Sequence, residues 1–544
     1  MRLGERLLQS LAALRRNSLV RTALCALGLT VTYLLWILKP IEDTPARDFY
    51  HQSGHARVVF VPFILLILAV WVLFSALLLL ARKPGRVRVA IWTLLLLCIA
   101  CLFVKLTIFY HRFDSVPVAF DCAVILTLLI TLSWRPSLAD RFERVLKPIT
   151  TIFMFLGLLG AFILLQLSWY DLRGTLAEQP PPLHHRDLAA NRQPHRILWI
   201  IFDELSFQQT YEHRYPGLQL PAFDALEANS TVFTHATPFF NRTEDVLPGL
   251  FSGKPFDNIR NTFSAAPSFH NALTNKWQAF DQHDTIFQDA LSAGYSTAVV
   301  GWYNPYCRLI PAVLDSCYWS YQDPWNGVLP AQSVLSNTRI LGIQATRGVL
   351  TVLPFSVASY LERGAQPLQL TASRVAAADD YQVLQSRADQ LLRDPSYNFV
   401  LLHLSVPHPF GFYNRHTHRL TTGDASYIDN LALADSWLAS IVQTLKQTDQ
   451  WDSSTIILMG DHGWRTQQIW RYWRMGWTKE DELASHGGQY DPRPVYLVKL
   501  PNQSTSQRID APFQTVNTRK LFDALMAHQI NTPDDLATWA RTTH

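Results

Sequence analysis

The chain has 544 residues, of which 49% are hydrophobic and only 17% are charged. This length is too great for one ordinary domain, and so apolar a composition is typical of proteins with membrane-spanning segments. A formal net charge of +4, without a concentrated basic face outside the membrane flanks, excludes nucleic acid as an expected partner.

Five apolar stretches in the N-terminal third reach or approach the roughly 20 residues that a helix needs to cross a bilayer. The predicted spans cover residues 18–38, 58–81, 88–110, 117–133 and 149–169. The first stretch is longer than the apolar core of a typical signal peptide, and no small-x-small cleavage site follows it. It is therefore predicted to remain as an anchor.

Basic residues are distributed unevenly between the predicted spans. The N-terminal tail and the loops at residues 82–88 and 135–147 are rich in arginine and lysine, whereas acidic residues lie at 42–48 and at Asp114. Basic loops favour the cytoplasmic side. After five crossings, the residues beyond 170 are expected outside the cytoplasm, which predicts a multi-pass inner-membrane protein with a periplasmic catalytic domain.

Short apolar runs alternate with helix-like segments beyond a proline-rich linker. The runs cover residues 197–202, 296–302, 398–405, 454–460 and 494–500. Runs that are apolar on both faces are typical of strands in a parallel sheet covered by helices. The predicted parts are a five-helix transmembrane domain at 1–172, a linker at 173–195 and an α/β domain with a mostly parallel central sheet at 196–544.

Two cysteines lie in this outer part, Cys307 and Cys317, ten residues apart. Because disulfides persist in an oxidising compartment, this pair is predicted to form one. The spacing alone does not prove the pairing, since geometry decides it.

Acids and histidines follow several of the apolar runs or precede the last one. These residues are Asp203, Glu204, His408, Asp461, His462 and His486. A single acid after a strand is usually a helix N-cap. Several such sites at the carboxyl ends of strands instead indicate one functional edge. Carboxylates and imidazoles together predict a divalent cation, Zn²⁺ or Mn²⁺, with Ca²⁺ or Mg²⁺ as alternatives because of the extra acid Glu204.

Thr243 opens the segment TEDVLPGLFSG, where its hydroxyl is either a helix cap or a nucleophile. A nearby cation would lower the pKa of this hydroxyl and activate it. His408 and His486 would then contact substrate oxygens or carry protons to the leaving group. The predicted metal ligands are Asp203, Glu204, Thr243, Asp461 and His462.

Five segments, taken in order, resemble the alkaline phosphatase and sulfatase superfamily. They are IIFDE, TEDVLPGLFSG, HLSVPHPF, ILMGDHG and SHGG, within residues 196–510. With five spans ahead of them, the chain resembles the phosphoethanolamine transferases and the lipoteichoic acid synthases. The resemblance implies Asp203 as the first acidic ligand, Thr243 as the nucleophile, Asp461 and His462 as paired ligands, and His408 and His486 as substrate-contacting histidines.

The chain departs from relatives in this superfamily at three points. It lacks the C/S-x-P-x-R motif of sulfatases proper, so formylglycine chemistry is not expected. The neighbours of the threonine are Arg242 and Gly249 rather than the disulfide cysteines usual in phosphoethanolamine transferases. The acidic doublet at 203–204 is more sulfatase-like.

A tryptophan-rich stretch, residues 464–479, carries four tryptophans and four basic residues. It is either a loop packed on the domain or a lid that contacts a sugar or the bilayer interface. In the second interpretation, Trp470 and Trp473 are the expected substrate-contacting residues.

The function predicted from these features is metal-dependent phosphotransfer. Thr243 would take the headgroup of a membrane phospholipid, phosphoethanolamine or phosphoglycerol, and pass it to an envelope glycan or lipid. The alternative is a membrane-anchored hydrolase of sulfate or phosphate esters. A non-catalytic scaffold is the third hypothesis, and the complete set of candidate ligands argues against it.

Overall fold

The computed structural model describes residues 18–42, 56–83, 85–107, 127, 136–173, 195–262, 265–322, short pieces between 334 and 345, 355–467 and 476–542. The chain divides into two compact units. The first contains the N-terminal helices and the described residues between Leu329 and Pro367, and the second contains the sheets and their helices. The boundaries of the three predicted parts stay predictions.

The described residues of the first unit include four long helices. They are α1 (Ser18–Glu42), α2 (Ala56–Leu80), α3 (Arg86–Thr107) and α4 (Pro136–Arg173). Among the described residues, two segments rather than five are long and apolar enough to cross a membrane, Phe60–Leu80 and Arg144–Leu172. Ser18–Leu34 is apolar but shorter. The predicted span at 117–133 lies outside the described residues, except for residue 127.

Glycines allow α1 and α4 to approach closely. A Cβ atom added at Gly157 would lie 2.0 Å from the carbonyl oxygen of Leu24, and one added at Gly28 would lie 1.9 Å from that of Phe153. Small residues at helix contacts are the usual means of close packing between apolar helices, because lipid-like surroundings supply no hydrophobic driving force. Hydropathy alone does not reveal this contact.

The second unit is built on an eight-stranded sheet with the order β14-β2-β13-β12-β1-β9-β7-β8. Its strands are β1 (Arg196–Phe202), β2 (Thr231–Phe233), β7 (Thr297–Trp302), β8 (Ser316–Ser320), β9 (Phe399–Leu404), β12 (Ser454–Gly460), β13 (Tyr496–Lys499) and β14 (Gln507–Ile509). The five strands from β12 to β8 are parallel. β13 is antiparallel to both of its neighbours. The predicted mostly parallel sheet is therefore confirmed.

Helices and smaller sheets complete the second unit. The helices are α5 (Pro221–Glu227), α6 (Thr243–Ser252), α7 (Ile286–Ser292), α8 (Tyr306–Leu309), α9 (Phe355–Arg393, from residue 368 onward), α10 (Tyr427–Gln447), α11 (Lys479–Ala484), α12 (Thr518–Met526) and α13 (Pro533–Thr542). The short strands are β3 (Ala236–Thr237), β4 (Phe256–Thr262), β5 (Ala265–Asn271), β6 (Lys276–Ala279), β10 (Tyr413–Asn414), β11 (Arg419–Leu420) and β15 (Phe513–Gln514).

The central strands are buried on both faces. All seven residues of β1 and all seven of β12 are buried. Alternate residues of β1 belong to two hydrophobic clusters, for example Trp199 to one and Ile200 to the other. This explains why these strands read as continuous apolar runs. A disulfide joins Cys307 to Cys317, with a Cα–Cα distance of 5.6 Å.

We expect Gly157→Ala to destabilise the helical unit. The added methyl group would force α1 and α4 apart, and overpacking of this kind typically costs about 1–3 kcal/mol. The measurement is the thermal midpoint of the full chain in detergent. Leu158→Ala is the matched control, because Leu158 is 44% exposed on the same helix. Equal midpoints for the two variants would contradict the close contact.

Candidate metal centre and nucleophile

Strand register brings two aspartates together at one edge of the sheet. Phe202, the last residue of β1, pairs with Gly460, the last residue of β12. Asp203 and Asp461 directly follow these two residues, and both side chains are fully buried. The carboxyl edge of a parallel sheet is where α/β proteins usually place functional groups. The register thus accounts for the pair without any special loop.

Thr243 brings a hydroxyl to the same point. It is the first residue of α6, and the N-cap position belongs to Arg242. Oγ1 of Thr243 lies 2.8 Å from Oδ2 of Asp461 and 3.2 Å from Oδ2 of Asp203. The hydroxyl therefore faces carboxylates rather than the helix backbone, which argues against a simple helix cap.

His462 completes the group with an unprotonated nitrogen. Its Nδ1 lies 3.0 Å from the carbonyl oxygen of Gly463, which can only accept, so Nδ1 carries the ring proton. Nε2 is then an acceptor, 3.4 Å from Oγ1 of Thr243 and 3.2 Å from Oδ2 of Asp461. One threonine proton consequently lies among three acceptor atoms.

This surplus of acceptors fits a bound cation. Ligand atoms of Asp203, Asp461 and His462 lie within 4.8 Å of one another. These three residues are called the metal group below. Oδ1 of Asp203 is buried and has no hydrogen-bond partner among the described residues. Carboxylate oxygens and a neutral imidazole are the ligands that Zn²⁺ and Mn²⁺ accept. The residues present therefore fit a divalent ion.

Burial sets the charge states of these groups. It lowers the pKa of His462 to about 4, so the imidazole is neutral near pH 7, as a metal ligand must be. Burial also raises the pKa of Asp203, and the neighbouring carboxylate of Asp461 raises it further. The pKa of Asp461 is raised by burial as well. A cation between the two carboxylates would oppose both increases.

Glu204 has a basic partner that was not predicted from the sequence. Its carboxylate accepts a hydrogen bond from Nε of Arg465 at 2.6 Å and forms an ion pair with the same guanidinium. Its amide donates to Oδ1 of Asp461 at 2.9 Å. Glu204 also belongs to a second possible ligand group with Asp203 and His408. Because Arg465 already neutralises its charge, the described contacts assign Glu204 first to this ion pair.

Glu204 is held in a strained backbone conformation. Its φ of 59° lies in the left-handed region, which is uncommon for residues other than glycine. Its carbonyl oxygen accepts from the hydroxyl of Tyr427 at 2.7 Å, and both residues are buried. Such strain persists where the surrounding structure fixes the backbone, and it is often found at functional sites.

The two predicted substrate histidines are placed differently. Nε2 of His408 lies 3.9 Å from Glu204 and 3.4 Å from Nη2 of Arg465, beside the metal group. Burial, with a contribution from Arg465, lowers the pKa of His408, so it is neutral. His486 is exposed, with its ring 6.3 Å from that of His213, and it belongs to neither ligand group. Trp470 and Trp473 lie outside the described residues.

Two residues beside the site, Arg465 and His403, were not predicted from the sequence. His403 lies in β9, where an apolar run hides it, and it is fully buried. Its Nδ1 donates to the carbonyl oxygen of Trp302 at 2.8 Å, and its Nε2 lies 3.4 Å from Oδ2 of Asp203. Because Nδ1 carries the proton, Nε2 is a further acceptor atom beside Asp203, and it has no hydrogen-bond partner among the described residues. One ionisable residue inside an otherwise apolar strand was the available signal.

Removing the positive charge of Arg465 is expected to destabilise the catalytic unit. Arg465→Met would leave the buried carboxylate of Glu204 without its counter-charge, and losing one partner of a buried pair typically costs about 3–5 kcal/mol. Denaturant unfolding of the full chain measures the effect. Arg393→Met is the control, because Arg393 forms an exposed pair with Asp389. If both variants unfold like the wild type, the buried pair is not as described.

Comparisons with solved structures found several sulfatase-like proteins at low identity. A sulfatase, PsFucS1 from Pseudoalteromonas sp., is 12% identical with a TM-score of 0.40, covering 62% of this chain and 68% of its own. The phosphonate monoester hydrolase of Agrobacterium radiobacter is 14% identical with a TM-score of 0.35, covering 61% and 74%. The lipoteichoic acid synthase LtaP from Listeria monocytogenes is 12% identical with a TM-score of 0.33, covering 64% and 74%.

Identities this low say nothing about the reaction of this chain. A search of curated proteins found no match. The sulfatase family profile, in contrast, matches residues 195–513, which is more than half of the chain and includes the whole metal group. The chain therefore belongs to the sulfatase family, within the alkaline phosphatase and sulfatase superfamily, and is a sulfatase-like enzyme.

Proposed function

We propose that this enzyme transfers the headgroup of a membrane phospholipid, phosphoethanolamine or phosphoglycerol, through a phosphothreonine at residue 243. The acceptor would be an envelope glycan or lipid. The observation that carries the proposal is the position of the Thr243 hydroxyl, 2.8 Å from Asp461 and 3.2 Å from Asp203. A threonine hydroxyl becomes nucleophilic only beside a base or a metal.

The metal ligands proposed are Asp203, Thr243, Asp461 and His462, together with Glu204 of the second possible ligand group, and the ion is Zn²⁺ or Mn²⁺. Bound there, the ion would lower the pKa of the threonine hydroxyl and polarise a phosphoryl oxygen. A buried imidazole disfavours Ca²⁺ and Mg²⁺, which prefer oxygen ligands.

The chain's own residues would carry the group in two steps. Oγ1 of Thr243 bonds to the phosphorus of the donor while the bond from phosphorus to the glycerol oxygen breaks. The proton lost by Thr243 is returned to the diacylglycerol, with His408 and His486 as the proposed carriers. A hydroxyl of the acceptor, or of its phosphate group, then attacks the same phosphorus while the bond from phosphorus to Oγ1 of Thr243 breaks, and the proton lost by the acceptor returns to Oγ1.

A lipid donor is favoured by the apolar helices of the first unit. Two of them are long and apolar enough to cross a membrane, which supports a membrane anchor. The disulfide between Cys307 and Cys317 supports an oxidising, extracytoplasmic location for the catalytic unit. Five spans with a periplasmic catalytic domain remain part of this proposal.

Hydrolysis of a sulfate or phosphate ester is the second candidate. The sulfatase profile and the acidic doublet Asp203–Glu204 favour it. Thr243 would attack the ester in the same way, and water would then hydrolyse the covalent intermediate.

The covalent route predicts a mass increase of the full chain after incubation with phosphatidylethanolamine or phosphatidylglycerol and Mn²⁺ or Zn²⁺. The increase should equal one phosphoethanolamine or phosphoglycerol unit and should be absent in Thr243→Ala. Turnover by Thr243→Ala should fall roughly a thousandfold or more, as for other nucleophiles. Thr243→Ser keeps the hydroxyl and serves as the matched variant. Full activity in Thr243→Ala would disprove the covalent route.

Metal binding predicts that Mn²⁺ or Zn²⁺ raises the thermal midpoint of the full chain. An ion that binds only the folded state stabilises it by about 2.7 kcal/mol at a free concentration 100 times its Kd. Asp461→Asn should abolish this increase. The control is Asp435→Asn, since Asp435 is also buried but accepts hydrogen bonds from the α5 amides of Ala222 and Phe223. An increase that survives in Asp461→Asn would place the ion elsewhere.

A further inference from the structure

A cavity of about 250 Å³ lies within the helical unit, where α1 and α3 begin and α2 ends. Its polar lining consists of Ser18, Arg21, Thr22, Arg82, Arg88 and Thr150. This volume would hold about eight water molecules. The lining is therefore both large enough and polar enough to receive a small charged group.

The cavity brings together three guanidinium groups, and its described lining contains no carboxylate. Two of the three are held in place by hydrogen bonds to the start of α1 and to the residue after α2. Arg82 donates a hydrogen bond to Oγ of Ser18, and Nη1 of Arg88 lies 3.3 Å from the carbonyl oxygen of Ala81. Three like charges around one space repel one another, and an anion relieves this repulsion.

The rest of the lining is apolar. Cys25, Leu78, Trp92 and Met154 face the same space. A free anion would gain nothing from this surface, whereas the glycerol and the first acyl carbons of a lipid would bury apolar area there. Arginine is suited to the phosphate group itself, because its planar fork matches phosphate oxygens.

We propose that this cavity binds the phosphate of an anionic phospholipid. The basic loop at residues 82–88 is the one expected on the cytoplasmic side, and basic pockets between apolar helices on that side bind lipid headgroups. The site is separate from the catalytic residues, all of which belong to the other unit. The inference rests on the membrane anchoring proposed above and not on phosphotransfer.

Lipid binding to the delipidated full chain in neutral detergent tests the proposal. Native mass spectrometry in the presence of a chelator would compare phosphatidylglycerol with phosphatidylcholine of the same acyl chains, without turnover. We expect tighter binding of phosphatidylglycerol, weakened about fivefold by each of Arg21→Gln and Arg82→Gln. Lys83→Gln is the matched control, because Lys83 is an exposed neighbour that does not line the cavity. It should bind like the wild type.

Three results would overturn the assignment. Equal binding of the two lipids by the wild type would remove the anionic specificity, and this comparison needs no variant to fold. If inorganic phosphate at equal concentration displaced phosphatidylglycerol, the cavity would be a site for free phosphate rather than for a lipid. Unchanged lipid binding in both arginine variants, with thermal midpoints like that of Lys83→Gln, would place the lipid elsewhere. These three measurements do not depend on catalysis, so the absence of a covalent adduct in the mass assay above would not change them.

Discussion

The catalytic unit depends on one electrostatic constraint, the burial of two carboxylates and an unprotonated imidazole around a single hydroxyl proton. The parallel register of β1 and β12 imposes this arrangement, because Asp203 and Asp461 follow paired residues at the same edge of the sheet. Desolvation of charged groups is costly unless an opposite charge compensates it. A cation would therefore stabilise the site, and in the proposed function the same ion would activate Thr243.

Residues around the metal group hold it rigidly. Asp203 directly follows β1, so its position is fixed by a central strand rather than by a loop. On the other side, the strained backbone at Glu204 is held by Tyr427 and Arg465. Ligands supported in this way stay close to the geometry that the reaction requires. The buried ion pair thus contributes to function through position, whatever its net effect on stability.

Much of this site follows from the sequence, because parallel strands buried on both faces give apolar runs with polar residues at their ends. The runs at 197–202 and 454–460 locate Asp203, Asp461 and His462 for this reason. Pairing partners are harder to predict. Nothing in the order of residues shows that Arg465 turns back onto Glu204 or that β13 runs antiparallel, since both depend on contacts between segments distant in sequence. For the same reason, hydropathy does not predict the glycine contacts between α1 and α4.

In the two proposed functions, transfer and hydrolysis would share the chemistry of the metal group, because both would begin with attack by the oxygen of Thr243. The difference would arise in the second step, when either an acceptor oxygen or water reaches the phosphorus, or the sulfur of a sulfate ester. Whatever selects between them must therefore act by excluding water or by binding the acceptor, and the three ligands Asp203, Asp461 and His462 are too deeply buried to bind an acceptor. Selection must instead come from residues at the rim of the site, among which His408 is partly exposed. The two candidate functions would therefore be distinguished by the residues at this rim rather than by the proposed ligands.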